Sequence, residues 1–94
     1  MFVVSGVPKL VGEGKKEFDR HTGDSVDIAR VAFEDPSMPT GTFVTSFEVR
    51  GAALAVLQPF IKDGKPVRVV ADGFPKRKRN GDPWTLFYVK TVLA

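Results

Sequence analysis

The chain has 94 residues, 43% apolar and 27% charged, with a formal net charge of +3. One domain, residues 1–94, fits that length, and eight Phe, one Trp and one Tyr are enough for a core, although a domain this small buries only about 60–65% of its unfolded surface. Zero cysteines exclude a disulfide framework and a thiolate zinc site, and a single histidine, His21, excludes most histidine-based metal and triad chemistry, so no enzyme, metal or other cofactor is expected.

Strand signals dominate along the chain. Phe2 to Val7 is a β-branched run closed by Pro8, and Gly12-Glu13-Gly14-Lys15-Lys16 reads as a turn or loop. Lys16 to Phe18 has the makings of a second strand, followed by a turn over Asp19-Arg20-His21-Thr22-Gly23-Asp24. Val26 to Phe33 reads as a strand, and Glu34 to Gly41, with two prolines and a glycine, as an exposed loop. Thr42 to Arg50 alternates most cleanly, with Phe43, Thr45, Phe47 and Val49 on one face and Val44, Ser46, Glu48 and Arg50 on the other. After Gly51 the period changes: Leu54, Leu57 and Ile61 share a helical face, and Pro59 is expected to end or kink that helix. Lys62-Asp63-Gly64-Lys65 is a turn, Pro66 opens a strand from Val67 to Gly73, and Trp84 to Leu93 makes the last one.

The expected fold is therefore all-β, about five strands with one short helix between the third and fourth long ones. A sheet this small avoids open edges by closing on itself, and a five-stranded barrel with one helix describes the OB-fold; an SH3-like barrel would not carry such a helix there.

Charge is divided along the chain. Residues 1–47 carry five Lys/Arg and seven Asp/Glu, or −2, whereas residues 48–94 carry nine and four, or +5. Four of those nine are consecutive, Lys76-Arg77-Lys78-Arg79, which points to a polyanionic partner, nucleic acid ahead of membrane. Asn80-Gly81 is a strong hairpin signal. As a two-residue turn it sets Arg79 against Asp82, Arg77 against Trp84 and Gly73 against Tyr88. One face then shows Arg77, Arg79, Trp84, Tyr88 and Lys90, and the other shows Phe74, Phe87 and Val89 toward the core. Cations alternating with aromatics suit single-stranded nucleic acid, whose bases stack on rings while Lys and Arg follow the phosphates; Trp84 leads as the stacking residue, with Tyr88 and Phe74 as further candidates.

Other chemistry is thinner. His21 beside Asp19 and Asp24 reads as a surface residue, Glu34-Asp35 lacks the spacing of a calcium loop, and the Gly12–Lys16 stretch lacks that of a P-loop. Ser5, Ser25, Ser37 and Ser46 have no general base nearby in sequence. No apolar run reaches the ~18–20 residues that cross a bilayer, and MFVVSGVPKL lacks the basic start of a signal peptide, so a cytoplasmic protein is expected.

From Thr42 to Leu93 the chain resembles the second half of the OB-fold single-stranded DNA-binding proteins of bacteria and phages. The matching parts are the strand Phe43–Arg50, the helix Gly51–Ile61, the turn and strand Lys62-Asp63-Gly64-Lys65-Pro66-Val67-Arg68-Val69, the basic hairpin Phe74–Trp84 and the last strand Thr85–Leu93; His21-Thr22-Gly23-Asp24-Ser25-Val26 resembles the turn between that family's first strands. The resemblance implies sequence-independent binding of single-stranded DNA in replication or recombination, as a homo-oligomer, a dimer before a tetramer. By position it assigns the hairpin contacts to Lys76, Arg77, Lys78, Arg79 and Trp84, and further phosphate contacts to Arg50 and Arg68. The sequence ends Val92-Leu93-Ala94 without the acidic tail of the bacterial members, which points either to a compact phage or plasmid type in the cytoplasm of a bacterial host or to a chain trimmed of its tail. The N-terminal third departs from the family's pattern, and no oligomer interface carries over. Two other readings stand beside this one: a protein-interaction module acting through the strand edge at Phe2, Val3 and Val4, and an RNA-binding OB module.

Overall fold

The computed structural model describes residues 1–12, 14–18, 20–35 and 43–93, with 43–45 described by their backbone alone. Six strands and one helix follow among them in the order β1 (Phe2–Leu10), β2 (Lys15–Phe18), β3 (Ser25–Glu34), β4 (Phe43–Arg50), α1 (Gly51–Asp63), β5 (Val67–Arg77) and β6 (Pro83–Val92). The sheet runs β1-β5-β6-β4-β3-β2, and β1 also pairs with β3, so the sheet closes into a ring. Closure comes from β1 changing partners along its length. Phe2–Gly6 pair with Ala71–Val67 of β5, and Val7–Leu10 pair with Glu34–Val31 of β3. Gly6, at the changeover, has a φ of 156°, a conformation only glycine adopts readily, and a Cβ there would stand 2.8 Å from the Glu34 carbonyl oxygen.

Alternation fills the ring. Val31, Phe33, Phe47, Val49, Val69 and Ala71 point inward and are all but fully buried. Phe47 packs edge-on against Phe33 and Phe87, with ring centroids 5.6 and 6.0 Å apart, an arrangement that aromatic quadrupoles favour. β4 and β6 meet in parallel, with Glu48 in register with Tyr88. Such a parallel neighbour needs a long crossover, which α1 and β5 provide. α1 packs Leu54 and Leu57 into the core, with Phe60 and Ile61 partly buried behind them. Among the described residues no helix is long and apolar enough to cross a membrane.

Three details depart from the sequence reading. The described residues form six strands rather than five, because the short run read at Lys16–Phe18 is a strand of its own, β2; among the long strands β1, β3, β4, β5 and β6 the helix lies between the third and fourth. β2 lies along β3 beyond the stretch that β1 uses, pairing Lys15–Phe18 with Ile28–Ser25. β1 runs through Pro8 to Leu10, since proline's fixed φ suits an extended strand and the Pro8 ring is buried in the core. The helix continues through Pro59 to Asp63. Pro59 forfeits the bond to the Ala55 carbonyl, but Phe60 and Ile61 beyond it pack on the core and hold the last turn in place. The loop expected over Glu34–Gly41 falls mostly on residues 36–42, outside the described residues, and of the inward face read on β4 only Phe47 and Val49 have side chains that are described, both buried.

Two substitutions test this architecture by urea unfolding. Leu57→Ala removes a fully buried side chain joining helix to barrel and is expected to cost about 2–5 kcal/mol, whereas Val56→Ala on the exposed side should change stability by no more than about 0.5 kcal/mol. Gly6→Ala is expected to cost about 1–3 kcal/mol through backbone strain, before the clash with Glu34 is counted.

Candidate nucleic-acid interface

The β5–β6 hairpin leaves β5 one residue earlier than a two-residue Asn80-Gly81 loop requires. The Lys78 N–H donates to the Asp82 carbonyl at 2.9 Å and the Gly81 N–H to the Lys78 carbonyl at 2.9 Å. The loop is thus Arg79-Asn80-Gly81, a tight turn ending in a positive-φ residue. Only Gly81, at φ 90°, has positive φ there, whereas the two-residue turn needs it at Asn80 as well. Asn80 instead uses its side chain, accepting the Asp82 N–H at 3.1 Å and donating to the Asp82 carboxylate at 3.0 Å.

The added residue slips the register by one and exchanges the faces. Lys76 stands opposite Trp84, Phe74 opposite Leu86 and Asp72 opposite Tyr88. Phe74, expected in the core, is 54% exposed on the same face as Trp84 and Tyr88. Arg77, expected beside Trp84, pairs with Pro83 on the opposite face, and its guanidinium donates to the Gly81 carbonyl at 3.1 Å. Lys76 takes the place expected for Arg77, its ammonium 6.0 Å from the Trp84 ring centroid, within cation–π range.

On this face β2, β4, β5 and β6 enclose an open groove of about 490 Å³, lined by Lys15, Glu17, Glu48, Arg50, Phe74, Lys76, Leu86 and Tyr88. A second hollow, lined by Phe18, Arg20, His21 and Val26, adjoins it through Glu17 and Arg50. Arg50 ends β4 between two carboxylates: its Nη2 donates to Glu17 Oε2 at 2.7 Å, and its Nε lies 3.7 Å from Glu48 Oε2. The first of these pairs reaches over β3, joining β2 to β4. Arg30, further along the outer surface of β3, donates to the Ser46 hydroxyl at 2.9 Å.

Of the residues singled out in the sequence, the groove brings together Arg50, Phe74, Lys76 and Tyr88, with Trp84 beside Lys76. Lys78 and Arg79 are exposed at the hairpin tip. Two others lie elsewhere. Arg68 sits eight residues along β5 from Lys76, roughly 26 Å at strand rise, beside Ser5, Phe60 and Leu93. Lys90 falls where the β5–β6 register shifts between Val70 and Ala71; it lines a hollow with Ala52, Ala53 and Val56 of the helix and is not among the residues lining the groove. Sequence reasoning passed over Lys15, Glu17, Leu86 and the exposed Phe18. Leu86 follows from Trp84 and Tyr88 by simple alternation; the Arg50–Glu17 pair, 33 residues apart, leaves no local signal.

Asp72 flanks the groove opposite Tyr88. Its Oδ1 accepts the Gly73 N–H at 2.9 Å, and this bond, helped by the N-terminal ammonium and Lys90 and outweighing desolvation, holds its carboxyl below the usual carboxylate range. A carboxyl that titrates lower in the folded chain contributes stability above its unfolded pKa, about 3.9, and the contribution disappears as pH falls through the folded value. Asp72→Asn is accordingly expected to lower the urea midpoint at a pH of about 6–7 and to make little difference near about pH 2. The hairpin register has its own check: nuclear Overhauser effects should join Lys76, not Arg77, to Trp84.

Compared with models of protein families, with curated proteins and with solved structures, the chain matches none.

Proposed function

We propose that this chain is an OB-fold protein that binds single-stranded DNA without reading a defined sequence, and that it coats and protects exposed strands in replication or recombination. The OB-fold reading is supported by the cyclic strand order β1-β3-β4-β6-β5 and by the helix that connects β4 to β5. The binding reading rests above all on one outer face that gathers Phe74, Trp84 and Tyr88 with Lys76 and opens beside a cationic hairpin. Apolar rings are left exposed where a monomeric barrel has no packing use for them, and cations stand next to them.

The mechanism divides between two regions. Lys76, Lys78 and Arg79 capture phosphates and release condensed counterions, which makes affinity fall with salt. Bases then stack on Phe74, Trp84 and Tyr88, each stacked base being worth about 1–3 kcal/mol whatever its identity. Arg77 faces away and is tied to the loop, so it serves the turn more than the strand.

Trp84 is the only tryptophan, so its fluorescence reports directly on the hairpin. Titration with oligo-dT at several salt concentrations is expected to quench it, with an affinity that drops steeply as salt rises. Neutralising Lys76, Lys78 and Arg79 together should reduce the slope of log affinity against log salt by about 0.7 for each phosphate that is no longer neutralised. Binding that ignores salt, or none at low salt by either fluorescence or labelled-DNA anisotropy, overturns the proposal.

A further inference from the structure

The middle of the groove is not furnished as a phosphate track. Arg50 is already engaged by Glu17 and Glu48, and with Lys15 and Lys76 the lining charges nearly balance. A phosphate entering there meets two carboxylates. What this stretch offers a strand is flat rings and carboxylate oxygens, which suit bases rather than backbone.

Glu48 has the more telling position. It is the direct β4 neighbour of Tyr88 across the parallel pairing, and its side chain is 20% exposed where it borders the groove. A base lying on the Tyr88 or Phe74 ring turns one edge toward β4 and so toward this carboxylate. An ionised carboxylate only accepts hydrogen bonds, through two adjacent oxygens. Guanine alone among the four bases presents two adjacent N–H donors, at N1 and the 2-amino group, along its Watson–Crick edge. Thymine presents one N–H between two carbonyls that a carboxylate repels, and adenine and cytosine each present one amino group beside an unprotonated ring nitrogen.

We infer that Glu48 reads guanine at one position of the bound strand. The inference rests on the single-stranded DNA reading and adds one preferred base to a capture otherwise indifferent to sequence. Arg50, bridged to Glu17 on its other side, remains with the carboxylates instead of serving as a phosphate contact.

The test titrates the chain with labelled oligo-dT in which the central residue is dT, dC, dG or deoxyinosine, which lacks the 2-amino group. The strand with dG is expected to bind about tenfold more tightly than the dT strand, the low end for a bidentate base contact. Deoxyinosine should lose most of that gain. Glu48→Gln, similar in shape but carrying an amide, should bind the dG and dT strands alike. Equal binding of all four strands by the wild type overturns the inference and leaves the function proposed above standing. A dG preference that survives in Glu48→Gln overturns the assignment to Glu48. No binding of any strand at low salt removes the function itself, and the inference with it. The guanine–inosine comparison needs no variant, so a folding defect in Glu48→Gln cannot decide it.

Discussion

Everything in this barrel depends on β1 being shared between two neighbours. Its first half is hydrogen-bonded to β5 and its second half to β3, and that change of partner turns a strip of strands into a ring. The change happens at Gly6, where the chain passes so close to the Glu34 carbonyl that a side chain has no room. Without closure β1 and β3 would leave open edges, which small sheets must otherwise cover or charge. With closure, the inward face becomes a continuous apolar core capped by the helix, and the outer face is left for other work.

That outer face takes its character from the β5–β6 hairpin. A loop one residue longer than the shortest possible turn places Phe74, Lys76, Trp84, Leu86 and Tyr88 on one side. β5 also continues well past its last buried residue, Ala71, so the hairpin stands out from the barrel as an exposed arm ending in Lys78 and Arg79. Charge is thereby sorted in space. The arm carries cations with little opposing charge, while the groove pairs its arginine with two carboxylates. Under the proposed function these are complementary tasks: the arm holds phosphates through long-range attraction, and the groove receives bases through contact.

Much of this could be read from residue order. The helix after Gly51, the inward Phe47 and Val49, the strand from Val67 and the turn at Asn80-Gly81 all follow from local period and turn chemistry. The faces of the hairpin did not, because one residue of loop length exchanges them, and Asn-Gly fits a two-residue turn as well as the longer one. Pro8 and Pro59 misled as strand and helix stops for a related reason. Proline's local penalty is visible in sequence, whereas the burial of Pro8, Phe60 and Ile61 that outweighs it depends on distant partners. The carboxylates that hold Arg50 belong to the same class, since Glu17 reaches it only after β2 and β4 have both paired with β3.

The proposed function stands on one claim, that the face of β4, β5 and β6 carrying the groove is the surface a DNA strand occupies. Amide chemical-shift mapping of the labelled chain against an unlabelled oligo-dT tests it most directly. Shifts are expected to concentrate at Glu48, Arg50, Phe74, Lys76, Leu86 and Tyr88 and at the Trp84 indole N–H, with Phe60, Val67, Arg68 and Leu93 unmoved. Shifts gathered around those last four residues, or none at all at saturating DNA, would contradict it.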